Sequence, residues 1–246
     1  MHQSYSQYYA DLWRRHWWWR VRHEVVLREL LRATRPLAVR SERPRILDIG
    51  CAGGVAFEDF SRFGEVYGIE PNSHLVESTP QWRHRVEQVM FGPDFQPNQP
   101  FDVILMLDVL EHIEDDQAAL AKLWGLLKPG GIAILTVPAL RWLWSVHDDI
   151  NLHYRRYHRQ PLKSLLVQSG FQICRLKYLF GWSLPLVYLR KWLSPRDLKE
   201  YRVEVPSAPV NALFAGLTRG ENWMSNVMGV SPPLGSSLLA VVQRPQ

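Results

Sequence analysis

The residues best placed to do chemistry follow the first apolar strand of the chain. Asp48 lies at the end of that strand, and Gly50, Gly53 and Gly54 come directly after it. Glycines let the backbone turn sharply and approach a ligand with no Cβ in the way. Residues 55–63 then fit a helix whose N-terminal amide groups would point at the same ligand. This arrangement is typical of a site for a nucleotide-type cofactor.

Polar and aromatic residues suited to an adenosine follow the next predicted strands. Glu70 comes 22 residues after Asp48, and an acid there can accept hydrogen bonds from both hydroxyls of a ribose. Asp94 could accept a hydrogen bond from an exocyclic amine, and Phe95 could flank a purine ring. Leu107 follows the next strand. Because ligands of parallel sheets bind at the carboxyl ends of the strands, we expect these residues to share one site.

The elements that must position these residues alternate between strand and helix. Such alternation predicts an α/β fold with a mostly parallel sheet and helices on both faces. Val103–Leu107 is an unbroken apolar run, as expected for a strand buried on both sides. The predicted strands lie near 45–49, 66–70, 86–90, 101–107, 131–137, 171–178 and 237–243, and the predicted helices near 55–63, 74–79, 116–127 and 161–169.

The length of 246 residues accommodates one large domain with additional segments. We predict an N-terminal helical arm over 1–44 and a core formed by 45–181 and 236–246. Residues 182–235 interrupt the alternation and are rich in Pro, Trp and Leu, which indicates a helical insertion or lid before the last strand.

The net charge of +5 is concentrated near the start of the chain, where residues 1–45 hold ten arginines against four acids. A basic segment can contact nucleic acid, phosphate groups or an anionic membrane. Val21, Val25 and Leu30 nevertheless fall at helical spacing, so a solvated helix packed on the core is an equal alternative. The longest uncharged apolar run, 178–189, is too short to span a bilayer, and we expect a cytoplasmic protein.

Three motifs carry a resemblance to a known family. Residues 46–54, 101–113 and 126–131 resemble class I S-adenosylmethionine-dependent methyltransferases of the small-molecule type, in the order in which that family has them. The resemblance implies a seven-stranded Rossmann-like sheet and S-adenosyl-L-methionine as cofactor. Ala52 stands where the family usually has glycine, and its methyl group fits if φ is negative. The glycine spacing does not match the G-x-G-x-x-G of NAD sites.

The predicted site residues fall into two groups. His147 beside Asp148 could be a general base with an orienting acid, and His112 is a second candidate near the transferred methyl group. The cysteines, Cys51 and Cys174, lie far apart, and no metal site is predicted. The predicted cofactor-binding residues are Asp48, Gly50, Cys51, Ala52, Gly53, Glu70, Pro71, Asp94, Phe95, Leu107 and Arg22.

The leading functional prediction is methyl transfer to a hydroxyl or similar nucleophile of a small molecule, lipid precursor or saccharide. Residues 16–22 and 233–239 are similar to those of bacterial methyltransferases of unassigned substrate. Leu107-Asp108-Val109-Leu110 differs from the Asn/Asp-Pro-Pro-Tyr/Phe of enzymes that methylate base amines. The alternatives are a cofactor-binding protein without turnover and an RNA-modifying enzyme that uses the basic arm. Residues 183–193 fit an amphipathic helix that is either a lid or a contact with the inner membrane face for a lipid-linked acceptor.

Overall fold

The structure is a computed structural model that describes residues 11–37, 43–77, 79–193 and 203–246. Parts of the predicted arm and of the predicted insertion, residues 1–10, 38–42 and 194–202, therefore lie outside the described residues, as does Ser78 in the predicted helix 74–79.

A seven-stranded sheet forms the centre of the molecule, with the strand order β3-β2-β1-β4-β5-β7-β6. Strands β1 to β5 run parallel to one another, and β7 is antiparallel to its neighbours β5 and β6. This confirms the predicted mostly parallel Rossmann-like sheet. The strands are β1 (Arg45–Ile49), β2 (Glu65–Ile69), β3 (Val86–Glu87), β4 (Phe101–Leu107), β5 (Leu127–Pro138), β6 (Gln172–Leu179) and β7 (Ser237–Gln243).

The register of the central strands brings the chemical residues to one edge of the sheet. Ile49 at the end of β1 lies opposite Ile69 of β2 and Met106 of β4, and Leu107 lies opposite Thr136 of β5. The loops after β1, β2, β4 and β5 therefore leave the sheet at the same edge, as the sequence predicts.

Helices cover both faces of the sheet. One hydrophobic core contains Leu120 and Leu166 from helices of one face, and the other contains Val21, Phe57 and Ala215 from helices of the opposite face. The helices are α1 (Trp17–Thr34), α2 (Phe57–Phe60), α3 (Ser73–Glu77), α4 (Asp116–Leu126), α5 (Val146–Ile150), α6 (Arg159–Gln168), α7 (Leu184–Leu193) and α8 (Ala208–Val227).

Helix α1 packs on one face of the sheet as part of its helical layer. Trp17 contacts the rings of Phe180, Trp182 and Phe214, with centroids 5.5 to 5.9 Å away. At the exposed side of the same contact, Arg219 of α8 donates two hydrogen bonds to the Glu24 carboxylate. The basic N-terminal segment therefore packs on the sheet and on the insertion, over the part that the structure describes.

Helix α7 presents an apolar surface next to the sheet edge. Tyr188, Leu189 and Trp192 are exposed, and the ring of Tyr188 lies 5.8 Å from that of Trp142. Within the described ranges, no helix combines the length and the apolar character that a membrane span requires. The role of this segment as a lid or a membrane contact stays a prediction.

Several predicted elements differ from the structure in length. The third strand ends at Glu87 and not near residue 90, and the helix predicted over 55–63 is limited to Phe57–Phe60. Helix α5 is absent from the prediction because its five residues carry too little periodicity to identify. The 20 residues of α8 include two internal glycines, Gly216 and Gly220, which weaken a helical pattern.

Candidate functional site

A cavity of about 300 Å³ opens at the carboxyl ends of the central strands, between α1, α7 and the loop after β5. Its walls combine indole rings from α1 with carboxylates and imidazoles from the strand-end loops. The lining residues are His16, Trp17, Trp18, Trp19, Arg22, Gly50, Ala52, Glu70, Leu75, Leu107, Asp108, Glu111, His112, Pro138, His147, Asn151, His153, Arg156, Ser183, Val187, Val203, Ser236 and Ser237.

The glycine turn forms one wall of the cavity. The amide of Gly50 donates to the Ile69 carbonyl at 2.9 Å, which ties the turn to the end of β2. Gly53 has φ +75°, and a Cβ there would lie 2.0 Å from the Leu75 carbonyl oxygen, so only glycine fits. Ala52 also has a positive φ, +48°. The condition under which the methyl group of Ala52 would fit without strain, a negative φ, is therefore not met.

The glycine turn is tied to Glu70 through Ala52. The amide N–H of Ala52 donates to the Glu70 carboxylate, with Ala52 N to Oε2 at 2.9 Å. The other oxygen of Glu70 accepts from the Asn72 amide at 3.0 Å. Each oxygen of this buried carboxylate keeps a further lone pair that can accept from a ligand in the cavity. Burial raises the pKa of Glu70, and the two amide hydrogen bonds oppose that rise.

Asp48 is buried at the end of β1, with 4% of its surface exposed. Burial, reinforced by the charge of Glu70, raises the pKa of its carboxyl to about 8, although Arg22 acts in the opposite direction. Asp48 is not itself one of the lining residues of the cavity, but it lies two residues before Gly50, which is. Acids with strongly perturbed pKa values cluster at functional sites.

Arg22 reaches the cavity from α1. Its guanidinium forms an ion pair with Asp108 and lies 4.5 Å from the ring centroid of Trp18. Asp108 also accepts a hydrogen bond from the Thr136 hydroxyl at 3.0 Å. The prediction that Arg22 lies at the pocket describes its position correctly, but the carboxylate beside it in this structure belongs to the protein.

Some predicted cofactor residues lie away from the cavity walls. Asp94 is exposed and Phe95 is in the core next to α4, and neither lines the cavity, so their contact with the adenine stays a prediction. The third strand is short and ends seven residues before Asp94. Pro71 is exposed. Cys51 is buried against Gly68, and burial raises the pKa of its thiol.

The predicted pairing of His147 with Asp148 differs from the arrangement in the structure. Asp148 is fully buried, where its carboxylate accepts from His153 at 2.9 Å and from Arg156 at 2.7 and 2.9 Å. Neighbouring side chains on a helix point in different directions, so Asp148 faces the core while His147 lines the cavity. Although burial acts against ionisation, these hydrogen bonds hold the pKa of Asp148 well below its usual range.

Sequence reasoning did not select Glu111 and His153. Both line the cavity with His112, and the ring centroids of His112 and His153 are 4.7 Å apart. Burial raises the pKa of Glu111 to about 8, while burial and the neighbouring His153 lower the pKa of His112 to about 4. The available signal was an acid between the apolar residues Val109, Leu110 and Ile113, because carboxylates are almost never fully buried unless they are paired.

Comparisons with known proteins agree with this geometry. The model of a methyltransferase domain family matches residues 18–176. The ubiquinone biosynthesis O-methyltransferase of Bradyrhizobium sp. (strain ORS 278) is 30% identical over 107 residues, which cover 40% of this chain and 41% of that protein. The chain thus spans about two fifths of the length of the curated relatives that it matches.

Solved structures share the fold at lower identity. An S-adenosylmethionine-dependent methyltransferase from Mesorhizobium loti is 16% identical, with a TM-score of 0.56 over 89% of this chain and 96% of that chain. The N-methyltransferase NodS from Bradyrhizobium japonicum WM9, in complex with S-adenosyl-L-homocysteine, is 16% identical, with a TM-score of 0.53 over 93% and 88%. The family match confirms the resemblance found in the sequence: the chain belongs to the methyltransferase domain family.

Proposed function

We propose that this protein is an S-adenosylmethionine-dependent methyltransferase that acts on a hydroxyl or similar nucleophile of a small-molecule acceptor. The observation that carries the proposal is the Glu70 carboxylate, which lines the cavity while amides of the glycine turn and of the β2 loop hold both of its oxygens. The family match and the motifs at 46–54, 101–113 and 126–131 support the same activity.

The residues of the cavity fit the cofactor at two of its parts. Glu70 offers lone pairs to both hydroxyls of a ribose. Gly50 presents backbone without a side chain, and the guanidinium of Arg22 favours the carboxylate of a methionyl group. The buried Asp48 behind the turn adds negative charge, when ionised, for the methionyl amine.

The acceptor would occupy the end of the cavity that α5 and the loop after it provide. His147, His153, Arg156 and Val187 of α7 are among the lining residues. The relatives named as O-methyltransferases favour oxygen as the acceptor atom, on the matched 107 residues. Indole rings of α1 also line the cavity, and they favour an acceptor with an apolar or aromatic body.

When bound, S-adenosylmethionine supplies an electrophilic methyl group on a sulfonium. The acceptor oxygen would form a bond to this methyl group while the methyl–sulfur bond breaks and S-adenosylhomocysteine leaves, and the proton of the acceptor O–H would move to a base. We assign that base to His147, which lines the cavity, whereas the Nδ1 of His153 is occupied by Asp148. The remaining residues position the two substrates and exclude water.

Calorimetry with S-adenosylhomocysteine tests the cofactor site. The wild-type protein should bind, and Glu70→Ala should weaken binding by about 10- to 100-fold, because charge-assisted hydrogen bonds contribute about 1.5–3 kcal/mol. Glu77→Ala, at an exposed position of α3, is the matched control and should bind like the wild type. Absence of binding by the wild-type protein would contradict the proposal.

Turnover is measured separately, as transfer of a labelled methyl group to a panel of phenols, saccharides and prenylated acceptors. A labelled product that His147→Ala no longer forms, with S-adenosylhomocysteine binding retained, is the expected result. Binding of the cofactor with no transfer to any member of the panel would favour a cofactor-binding protein without turnover.

A further inference from the structure

Glu111 is a buried acid whose side chain makes no hydrogen bond within the described residues. Its side chain is fully buried, it lines the cavity, and neither of its oxygens has a hydrogen-bond partner within the described part of the chain. An unpaired buried carboxylate costs several kcal/mol, by the order of magnitude for desolvated ions, unless a ligand compensates it. The Nε2 of the His153 ring lies 4.0 Å from Oε1, and the charges of Arg22 and Arg156 oppose the rise in the Glu111 pKa that burial causes.

Two histidines complete a cluster around this carboxylate. One ligand atom each of Glu111, His112 and His153 lies within 4.8 Å of the others. Bonds from one metal ion to nitrogen and oxygen are about 2.0–2.2 Å long, which places tetrahedral ligand atoms roughly 3.4 Å apart. Side-chain movements of up to about 1.4 Å would therefore bring the three ligand atoms to the separations of a single coordination sphere.

Both histidine rings also contact protein groups outside the cluster. The Nδ1 of His153 is hydrogen-bonded to the buried Asp148 at 2.9 Å, which leaves Nε2 on the side of Glu111. Backbone groups of Asn151 and Leu152 lie next to the ring of His112. Metal-binding histidines typically use their second nitrogen in this manner, with a carboxylate or a backbone carbonyl as partner.

We propose that Glu111, His112 and His153 bind one divalent cation at the acceptor end of the cavity. Two imidazoles and a single carboxylate favour a borderline metal such as Zn²⁺, Mn²⁺ or Fe²⁺ over Mg²⁺ or Ca²⁺, which prefer oxygen ligands. With three protein ligands, the ion keeps open positions, and these face the cavity.

The open positions suggest what the ion does. An acceptor oxygen bound there would have a lowered pKa, because the cation stabilises the oxyanion. The ring centroid of His147 lies 6.3 Å from that of His153, so the proposed base is next to the bound oxygen. This role rests on the proposed function, whereas binding of the ion does not.

Metal binding is measured on the metal-stripped full-length protein, without cofactor or acceptor. Calorimetry with Zn²⁺ and Mn²⁺ should give one site per chain, and Co²⁺ should show the visible absorption of an ion with inner-sphere ligands. Glu111→Gln keeps the shape of the side chain and should weaken binding by at least about tenfold. Glu114→Gln, an exposed acid three residues along the chain, is the control and should leave affinity unchanged.

His153→Gln serves as a second variant, and circular dichroism verifies the fold of each. Absence of binding by the wild type, or binding that both Glu111→Gln and His153→Gln leave unchanged, would overturn the metal site. Those results would leave the calorimetry with S-adenosylhomocysteine unaffected, so failure of the metal site and failure of the proposed function are distinguishable.

Discussion

The buried acids of the site differ in whether the protein itself supplies partners. Burial raises the pKa of Asp48 and of Glu111 to about 8 in each case, whereas Asp148, equally buried, stays ionised because His153 and Arg156 bond to it. Asp148 therefore has a structural and orienting role. Asp48 and Glu111 destabilise the fold when charged, and such a cost is expected where a ligand compensates it.

Asp48 makes the stability of the protein depend on pH. Its folded pKa of about 8 lies above its unfolded value, so the folded state keeps a proton that the unfolded state loses as the pH rises from about 4 to 8. The stability contributed by the protonated form should decline over that range, by at most about 1.4 kcal/mol per pH unit. Glu70 and Arg22 face this carboxyl, and they modulate the effect in opposite directions.

Asp48→Asn should remove this contribution. The free energy of unfolding, measured by urea denaturation at pH 5 and pH 8, should fall less between the two values in the variant than in the wild type. Asp94→Asn changes an exposed carboxyl and should follow the wild type. If the free energies of unfolding of Asp48→Asn and of the wild type differ by the same amount at both pH values, Asp48 is not the source of the pH dependence.

The positive φ of Ala52 costs more conformational free energy for alanine than it would for glycine. At φ +48° a Cβ is unfavourable, so Ala52→Gly should raise the free energy of unfolding by about 0.5–1 kcal/mol. Ala56 has φ −99° and its methyl group is buried, so Ala56→Gly adds entropy to the unfolded chain, removes buried surface and should lower stability by about 1–2 kcal/mol. Denaturation of both variants gives the comparison, and a loss of stability in Ala52→Gly would show that the turn carries no strain.

At the scale of elements, α1 links the sheet to α8. The amide of Trp17 donates to the Asn211 side chain at 2.8 Å, and its ring packs among Phe180, Trp182 and Phe214. Because Trp18 and Arg22 of the same helix line the cavity, the packing of Trp17 also positions one wall of the site.

Trp17→Ala should destabilise the protein by about 3 kcal/mol, through lost burial and the remaining cavity. Trp192→Ala is the control, because that side chain is 68% exposed on α7 and its removal should cost less than about 0.5 kcal/mol. Chemical denaturation measures both. Equal effects of the two substitutions would mean that α1 is not docked in solution as the structure describes.

At the scale of the whole molecule, the strand order locates the site. The chain leaves β1 toward β2 and β3 and then returns to β4 on the other side of β1, so loops on the two sides diverge between β1 and β4. A crevice forms at such a switch point, and ligands bind there in open α/β sheets. The cavity is bounded by Gly50 after β1 and by Leu107 and Asp108 after β4, as this topology requires.

The sequence by itself determined the sheet and the glycine turn. Strand burial and the backbone demands of a turn are local properties, so apolar runs and glycine spacing were enough to identify β1, β4 and the turn wall of the site. The tertiary structure decided which side chains meet. Glu111 and His153 are 42 residues apart, Arg22 meets Asp108 across the cavity, and Asp94 stays at the surface because β3 is short. These outcomes depend on the packing of separate elements, which no local pattern encodes.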